Sequence, residues 1–170
     1  MPEVRVKHNV ADAKAPDREA MPSGTYDAII TQVKEGVTNF TPALQQMTLE
    51  FTVIKTDKAS IVNDEPDDKY KGRSVFQDYI LEPGPRIQNN AREAFRIQQL
   101  MAATKCPHKT LPGGQISFNT DNLMNKAVKI TLYQRTEKPK QGDPPNKEYR
   151  KFNGIDRVDS SEKIDENELV

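Results

Sequence analysis

The chain has little of several things that would narrow its function. Its single cysteine, Cys106, excludes an internal disulfide, and together with only two histidines it is a poor basis for a four-ligand zinc site. There is no tryptophan, and only 6% of the residues are aromatic. No stretch approaches the ~18 apolar residues of a membrane-spanning helix, and the N-terminus lacks the apolar segment of a secretory signal. The sequence therefore predicts a soluble, cytoplasmic protein that holds no metal or cofactor.

The formal net charge is zero, but the charges are unevenly distributed. The last twelve residues (159–170) hold five acids and one lysine, which leaves 24 basic and 20 acidic residues in the rest of the chain. Just before this tail, segment 135–151 holds six basic residues against three acids. A basic body with an acidic tail is typical of a protein that binds a polyanion and carries its own competitor. The acids of the tail are Asp159, Glu162, Asp165, Glu166 and Glu168.

The hydrophobic pattern predicts five strands and one helix. Strict alternation over residues 46–53 is typical of a half-buried antiparallel strand. Further strands are predicted at 25–33, 74–81, 127–135 and 147–158. From 90 to 104 the period becomes helical, with an apolar face made of Ala91, Ala94, Phe95, Ile97 and Met101.

Three strands, a helix and two strands follow the order of the OB-fold, a five-stranded Greek-key barrel that binds single-stranded nucleic acid or sugars. We therefore predict a mainly β, OB-fold-like domain at 22–158, with one helix after the third strand. A mobile N-terminal arm at 1–21 and a disordered acidic tail at 159–170 flank this domain.

Cations and rings share the outward face of the last two predicted strands and the loop between them. Unpaired bases can stack on such rings while lysine and arginine contact the phosphates. The alternative is an ordinary solvated face with tyrosines at its edge. Phe152 falls on the opposite strand face and is predicted to be core. The predicted nucleic-acid-binding residues here are Lys129, Tyr133, Arg135, Lys138, Lys140, Lys147, Tyr149 and Lys151.

A second basic cluster precedes the third strand and consists of Lys69, Tyr70, Lys71 and Arg73. Within that strand, Phe76 and Tyr79 point to opposite faces, so only one of these rings can stack on a ligand. Tyr79 is the ring that we include in the predicted site.

Catalytic motifs are weak. The acidic loop at 63–68 could hold a divalent ion, but it lacks the glycine and the terminal glutamate of a calcium loop. Cys106 and His108 are too few ligands for zinc, and the pair of glycines at 113–114 is not followed by the lysine of a phosphate loop. We therefore predict that the protein is not an enzyme.

Five stretches carry a resemblance to a known family. They read MPSGTYDAIITQV at 21–33, LQQMTLEFTVI at 44–54, YKGRSVFQDYIL at 70–81, NKAVKITLYQR at 125–135 and YRKFNGIDRV at 149–158. In order and spacing they resemble the small single-stranded-DNA-binding proteins of bacteriophages, including a group classed as a domain of unknown function in phage replication modules. The resemblance implies an OB-fold that coats single-stranded DNA during replication or recombination, without sequence preference, in the cytoplasm of the host cell.

The acidic tail is similar to tails with which such proteins recruit replication enzymes, although those typically end in an aromatic residue and this chain ends in Leu169-Val170. Single-stranded DNA is thus the expected partner, with replication or recombination proteins as partners of the tail and no membrane. Two alternatives remain: an adaptor that holds such enzymes, and a metal-dependent nuclease that uses the acidic loop. The preference for DNA or RNA stays open, as does the oligomeric state, for which a homo-oligomer is one alternative.

Overall fold

A computed structural model describes residues 3–12, 20–56, 69–85, 87 and 89–161 of the chain. Within these ranges, seven strands and one α-helix follow one another, together with two 3₁₀ turns at Pro112–Gly114 and Thr120–Leu123. Their bounds are β1 (Gly24–Val37), β2 (Gln45–Thr56), β3 (Ser74–Ile80), α1 (Asn90–Thr104), β4 (His108–Thr110), β5 (Ile116–Phe118), β6 (Ala127–Thr136) and β7 (Lys151–Ser160). None of the helices in these ranges has the length and apolar character needed to cross a membrane.

Five of the strands form one antiparallel sheet in the order β3-β2-β1-β6-β7, and β4 and β5 form a separate small hairpin. The edge strands β3 and β7 contact each other, but in the described ranges they are not paired as neighbours of the sheet. The sheet is therefore curled but not closed into a barrel. The prediction of a mainly β chain with a helix after the third strand is confirmed.

The core lies on the inner face of this sheet. As the alternation of β2 predicts, Met47, Leu49, Phe51 and Val53 are at most 1% exposed. Full burial of each such side chain contributes about 1.5–3 kcal/mol to the free energy of unfolding. Helix α1 packs on this face against β7, β3 and β6. The outer face of the sheet is more exposed, apart from the buried pair of Asp27 and Lys129.

Helix α1 has the predicted bounds but not the predicted buried face. Asn89 caps its first turn, since the side-chain oxygen accepts a hydrogen bond from the Arg92 backbone N–H at 3.0 Å. The buried residues are Leu100, Met101, Ala103 and Thr104, all in the second half of the helix. Phe95 is 60% exposed, and Ala91 and Ala94 are exposed as well. The prediction for these three residues was wrong because only the second half of α1 is buried against the sheet.

Strand β7 is shifted relative to the prediction. It begins at Lys151 rather than 147, so Tyr149 lies in the β6–β7 loop. It also continues to Ser160, so Asp159 is a strand residue and pairs with Arg157 at 2.8 Å. The prediction of Asp159 as part of a disordered tail was wrong.

The chain enters the domain at Met21, which is 1% exposed. Its backbone N–H donates to the side-chain oxygen of Asn153 at 2.8 Å, and its carbonyl accepts from the Asn153 amide at 2.9 Å. Residues 3–12 of the predicted arm are all exposed.

Candidate nucleic-acid interface

Two rings and an arginine lie on the outer face of the β6–β7 hairpin. Arg135 is the cross-strand partner of Phe152, and its guanidinium carbon lies 4.4 Å from the centre of the ring. Tyr133, two residues before Arg135, is on the same face and is the partner of Gly154. Tyr133 and Phe152 are therefore diagonal neighbours, a position that separates residues by about 7–8 Å. The two rings are 39% and 37% exposed, and both are accessible to a ligand.

Phe152 was predicted to be core, which is wrong. The register of β7 places Phe152 and Arg135 on one face, because cross-strand partners in an antiparallel pair point to the same side. A bulge in the β6–β7 ladder between Thr131 and Leu132 changes the phase of the alternation further along β7. The inward residues Ile155 and Val158 are therefore three positions apart, which alternation alone does not reveal.

Gly154 gives Tyr133 its position. The ring lies so close to the glycine backbone that a Cβ atom at position 154 would overlap it. Gly154 is buried beneath this ring, so glycine is required here by close approach rather than by a special backbone angle.

The β6–β7 loop is organised around Asp143. Its carboxylate accepts hydrogen bonds from the Lys140 backbone N–H at 2.7 Å and from the Tyr149 hydroxyl at 3.3 Å, and it pairs with the Lys147 ammonium group at 3.4 Å. That ammonium group also lies 5.6 Å from the centre of the Tyr149 ring. Lys147 and Tyr149 are thus engaged with Asp143 and with each other.

Five cations of the hairpin have no ion-pair partner among the residues that the structure describes. All of them are exposed: Arg135, Lys138, Lys140, Arg150 and Lys151. Tyr149, which we predicted to share a strand with Lys151, lies five residues before Gly154. Tyr149 lies in the loop, outside the pairing of β6 with β7, which extends only to Thr136 and Lys151, so it occupies no cross-strand position beside Tyr133.

Lys129 does not belong to the interface. It is 8% exposed, and its ammonium group pairs with the Asp27 carboxylate on β1 at 2.8 Å. Lys55 on β2 approaches the other oxygen of Asp27 at 3.7 Å. The prediction that Lys129 contacts phosphate was wrong because a cross-strand carboxylate already neutralises it.

The second basic cluster lies in the turn before β3. Tyr70 is half-buried and packs edge-on against Tyr26, with ring centres 5.9 Å apart. The Lys69 ammonium group lies 5.4 Å from the centre of the Tyr70 ring, and Lys71 is exposed. Arg73 is half-buried. Tyr70 therefore supports the core, while Lys69 and Lys71 remain on the surface.

Phe76 and Tyr79 exchange the roles that we predicted. Tyr79 is 2% exposed, and burial raises the pKa of its phenol, an effect that the nearby Arg96 partly offsets. Phe76 is 57% exposed on the outer face. Phe76 is thus the ring of β3 that can meet a ligand, and the prediction of Tyr79 as a stacking ring was wrong.

Phe76 lines a groove on the outer face of β1, β2 and β3. The groove has a volume of ≈ 440 Å³, and its lining includes Gln32, Lys34, Thr48 and Glu50. Glu50 accepts a hydrogen bond from the hydroxyl group of Thr31, on β1. The groove offers one ring and several hydrogen-bonding groups, but its charge is mixed. It suits a base better than a phosphate.

The hairpin rings and the groove lie at opposite ends of β1. Tyr133 is next to Leu132, which pairs with Gly24 at the start of β1. Phe76 pairs with Glu50 on β2, and Glu50 in turn pairs with Gln32 on β1. Gly24 and Gln32 are eight residue steps apart on β1, which corresponds to roughly 26 Å. A ligand that contacts both sites must be several nucleotides long.

Several predicted groups lie outside the described residues: the acidic loop at 63–68, and Glu162, Asp165, Glu166 and Glu168 of the tail. Within the ranges that the structure covers, no three His, Cys, Asp or Glu side chains are grouped to hold a metal. Cys106 is buried, and the His108 ring Nδ1 lies 3.0 Å from the Cys106 carbonyl.

The sequence reasoning missed Phe76, Phe152 and Gly154. A glycine opposite a tyrosine was the one available signal, but it requires knowing the register. The chain matches no protein-family model, and no curated protein shows significant similarity to it.

Proposed function

We propose that the chain is an OB-fold protein that binds single-stranded DNA without sequence preference and without catalysis, in the replication or recombination of phage DNA. The strand order β3-β2-β1-β6-β7 and the contact between its edge strands support the fold, since an OB-fold is a partly open five-stranded barrel. The helix between β3 and the next strand of this sheet supports it as well.

One observation carries the function: the Arg135–Phe152 pair and Tyr133 share one face of a hairpin that also holds unpaired lysines. Stacking of a base on an aromatic side chain contributes about 1–3 kcal/mol, and lysines contact phosphates without reading sequence. Duplex DNA presents bases that are already stacked, so exposed rings favour a single strand. The β6–β7 loop and the face of β2 and β3 correspond to the surfaces with which OB-folds bind oligonucleotides.

A titration of a fluorescent oligo-dT at two salt concentrations tests this function, with duplex DNA and RNA for comparison. Neutralising about four to six phosphates gives a log–log slope of roughly −3 to −4 on a single strand. A dissociation constant weaker than about 1 mM at low salt would remove the proposal.

Two kinds of variant separate stacking from charge. Tyr133→Leu or Phe152→Leu should weaken binding by about 5- to 150-fold with an unchanged salt slope, because a ring neutralises no phosphate. The double variant Lys138→Gln/Lys140→Gln should make the slope less steep by about 1.4. Arg92→Gln, an exposed arginine on α1, is the matched control and should leave affinity and slope unchanged.

A protein adaptor for replication or recombination enzymes is the second candidate, favoured by the exposed Phe95 on α1. A pull-down from nuclease-treated host extract, with Phe95→Asp as control, tests it. A partner retained by the wild type and lost by the variant supports the adaptor. If the wild type and the Phe95→Asp variant retain the partner equally, Phe95 does not contact that partner.

A further inference from the structure

Strand β1 extends beyond its pairing with β6, which leaves part of one of its edges without a neighbour. The last contacts there are two hydrogen bonds: the Ile30 N–H donates to the Lys126 carbonyl at 3.0 Å, and the Asn125 N–H donates to the Ile30 carbonyl at 2.8 Å. Beyond Ile30, β1 pairs only with β2 among the residues that the structure describes. Residues 33–37 of β1 are named the free edge below.

Three residues of the free edge direct their backbone groups away from β2. The Thr38 N–H donates to the Leu44 carbonyl at 2.8 Å, and in an antiparallel ladder this orientation repeats at every second residue. The register of β1 on β2 has no shift in this part of the strand. Positions 34 and 36 are therefore bonded to β2, whereas the N–H and C=O groups of Val33, Glu35 and Val37 point to the open side. Unpaired backbone groups in such a row are a template for a further strand.

Backbone groups on the other two edges of the sheet are bonded to side chains. On β7, the Val158 N–H donates to the side-chain oxygen of Gln99 on α1 at 3.2 Å. On β3, the Asp78 carbonyl accepts from the side-chain amide of Gln77 at 2.7 Å, and β3 and β7 also contact each other. Covering an edge in this way prevents the addition of a strand. In the part of the chain that the structure describes, no side chain covers the backbone of the free edge.

A segment with strand character and no pairing lies near the N-terminus. Residues 3–7 read EVRVK, so that valines alternate with charged residues in the pattern of a half-exposed strand. Val4 is 84% exposed and Val6 58%. Within one copy of the chain, segment 3–7 belongs to no strand and pairs with none. Valine side chains are favoured on a pleated surface where a neighbouring strand can pack against them.

Charge selects the register between segment 3–7 and the free edge. Antiparallel pairing is the more stable arrangement per residue, and full overlap in this direction places Arg5 opposite Glu35. A shift by one residue in either direction would place one of the two cations of the segment opposite Lys34. Like charges that face each other across two strands destabilise the pairing, so full overlap is the favoured register.

We propose that segment 3–7 of one copy of the chain adds as an antiparallel strand to the free edge of a second copy. The charges that meet, Arg5 and Glu35, are exposed and have no ion-pair partner among the described residues. Gly36 faces Val4 in this register, and open space lies where a side chain at position 36 would be. The partner is a second copy because the segment stays exposed in the single chain, and reciprocal exchange closes a two-fold dimer.

Direct pairing of two free edges is the less favourable alternative. Full overlap of the free edge with that of a second copy would place Glu35 opposite its own counterpart, which is a like-charge pair. Segment 3–7 provides a cation at this position instead. The free edge borders the groove of Phe76 and lies far from the hairpin, so the exchange leaves the hairpin open. The inference does not depend on DNA binding.

Sedimentation velocity of the full chain at about 10 µM and about 500 µM tests the exchange, because this range covers weak association. We expect a dimer at the higher concentration. A wild type that is monomeric at both concentrations would overturn the proposal.

Charge reversal identifies the contact within the dimer. Arg5→Glu and Glu35→Arg should each weaken dimerisation by about 5-fold or more, because like charges then face each other twice in each dimer. The double variant Arg5→Glu/Glu35→Arg restores the opposite charges and should restore the dimer. Arg92→Glu, a reversal at an exposed site on α1, is the matched control and should leave dimerisation unchanged. A dimer that neither single reversal weakens would contradict the exchange.

Disulfide trapping of Val6→Cys/Lys34→Cys tests the register. In the proposed pairing these positions face each other with Cα atoms about 4.5 Å apart, which a disulfide can bridge. Air oxidation should join position 6 of one chain to position 34 of another. The control Arg5→Cys/Lys34→Cys places the two thiols on opposite faces and should give about tenfold less linked dimer. Cys106 is buried and is retained in both variants.

Non-reducing electrophoresis and mass mapping of the linked peptides read the result. Links between positions 6 and 34 of the same chain would assign the segment to its own β1 and would overturn the proposal. Equal yields from the two variants would show that the segment does not pair in this register, which overturns it as well.

Discussion

Ion pairing separates lysines that look equivalent in the sequence. Lys129 and Lys151 both stand in alternating strands that end in basic segments. In the sheet, Lys129 faces Asp27 across the β1–β6 ladder, whereas Lys151 is exposed. The partner of Lys129 is 102 residues away, so no local pattern reveals it.

Lys129→Met should lower the free energy of unfolding by about 2–4 kcal/mol, because it leaves the Asp27 carboxylate buried with only the more distant Lys55 as partner. Lys151→Met is the matched control and should change it by less than about 0.5 kcal/mol. Urea unfolding of both variants measures these differences. Equal stability of the two would show that the pair of Lys129 and Asp27 does not stabilise the fold.

The exchange between Phe76 and Tyr79 has a similar origin. The two positions point to opposite faces, and the sequence alone gives no preference for which ring is inside. The cross-strand partners decide it: Tyr79 faces the buried Met47, and Phe76 faces Glu50 on the outer face. A buried phenol must stay neutral, which links Tyr79 to the stability of the fold at high pH.

Tyr79→Phe should remove part of the alkaline destabilisation. Because burial raises the pKa of Tyr79 in the folded chain, its contribution is fully present below about pH 10 and is lost as the unfolded state ionises above it. The loss amounts to at most about 1.4 kcal/mol per pH unit. Urea unfolding at pH 9 and pH 11 should show a smaller loss for the variant than for the wild type. An identical loss in both would mean that Tyr79 ionises equally well in the folded state.

At the level of elements, local signals in the sequence predict where a helix or strand begins and ends. They are less informative about which of its faces is buried. The helical period is a local signal, so the bounds of α1 were predicted correctly. Which side of a helix is buried depends on how far it overlaps the sheet. The overlap of α1 is limited to its second half, a fact that its own sequence does not contain.

Leu100→Ala should cost about 2–5 kcal/mol of the free energy of unfolding, since Leu100 is fully buried between α1 and the sheet. Phe95→Ala removes a larger side chain but should cost less than about 1 kcal/mol, because Phe95 is exposed. Thermal and urea unfolding of both variants check this contrast. A larger loss for Phe95→Ala would show that Phe95 is covered in solution.

The last strand was predicted to begin too early because the residues before it are held by the loop. The Lys147 backbone N–H donates to the Pro144 carbonyl at 3.1 Å, which closes a turn at the point where the alternating pattern begins. Tyr149 is held by Asp143 in the same loop. The alternating pattern in the sequence runs on through such a turn, but β7 pairs with β6 only where the two strands come together.

At the level of the whole molecule, the order of the five sheet strands and the helix was predicted, but the small β4–β5 hairpin and most of the strand pairing were not. Each strand and the helix carry their own pattern, whereas β1 pairs with both β2 and β6, and the edge strands meet only after the sheet curls. The candidate site follows the same division. The cations of the hairpin were predicted from composition, but which rings are exposed on the outer face depends on the register of the strands.

The distance between the hairpin and the groove leads to a prediction about ligand length. If a single strand runs from Tyr133 and Phe152 to Phe76, it must span roughly 26 Å along β1. An oligo-dT of about 4 nucleotides fits one site only, whereas one of about 16 nucleotides can reach both.

Phe76→Leu should therefore weaken binding of the long oligonucleotide by about 5-fold or more, while the short one, held by the hairpin, binds with unchanged affinity. Phe152→Leu should weaken both. Fluorescence titrations with the two lengths check this difference. A Phe76 variant that binds both lengths like the wild type would confine the nucleic-acid interface to the β6–β7 hairpin, since the groove would then make no contact with the strand.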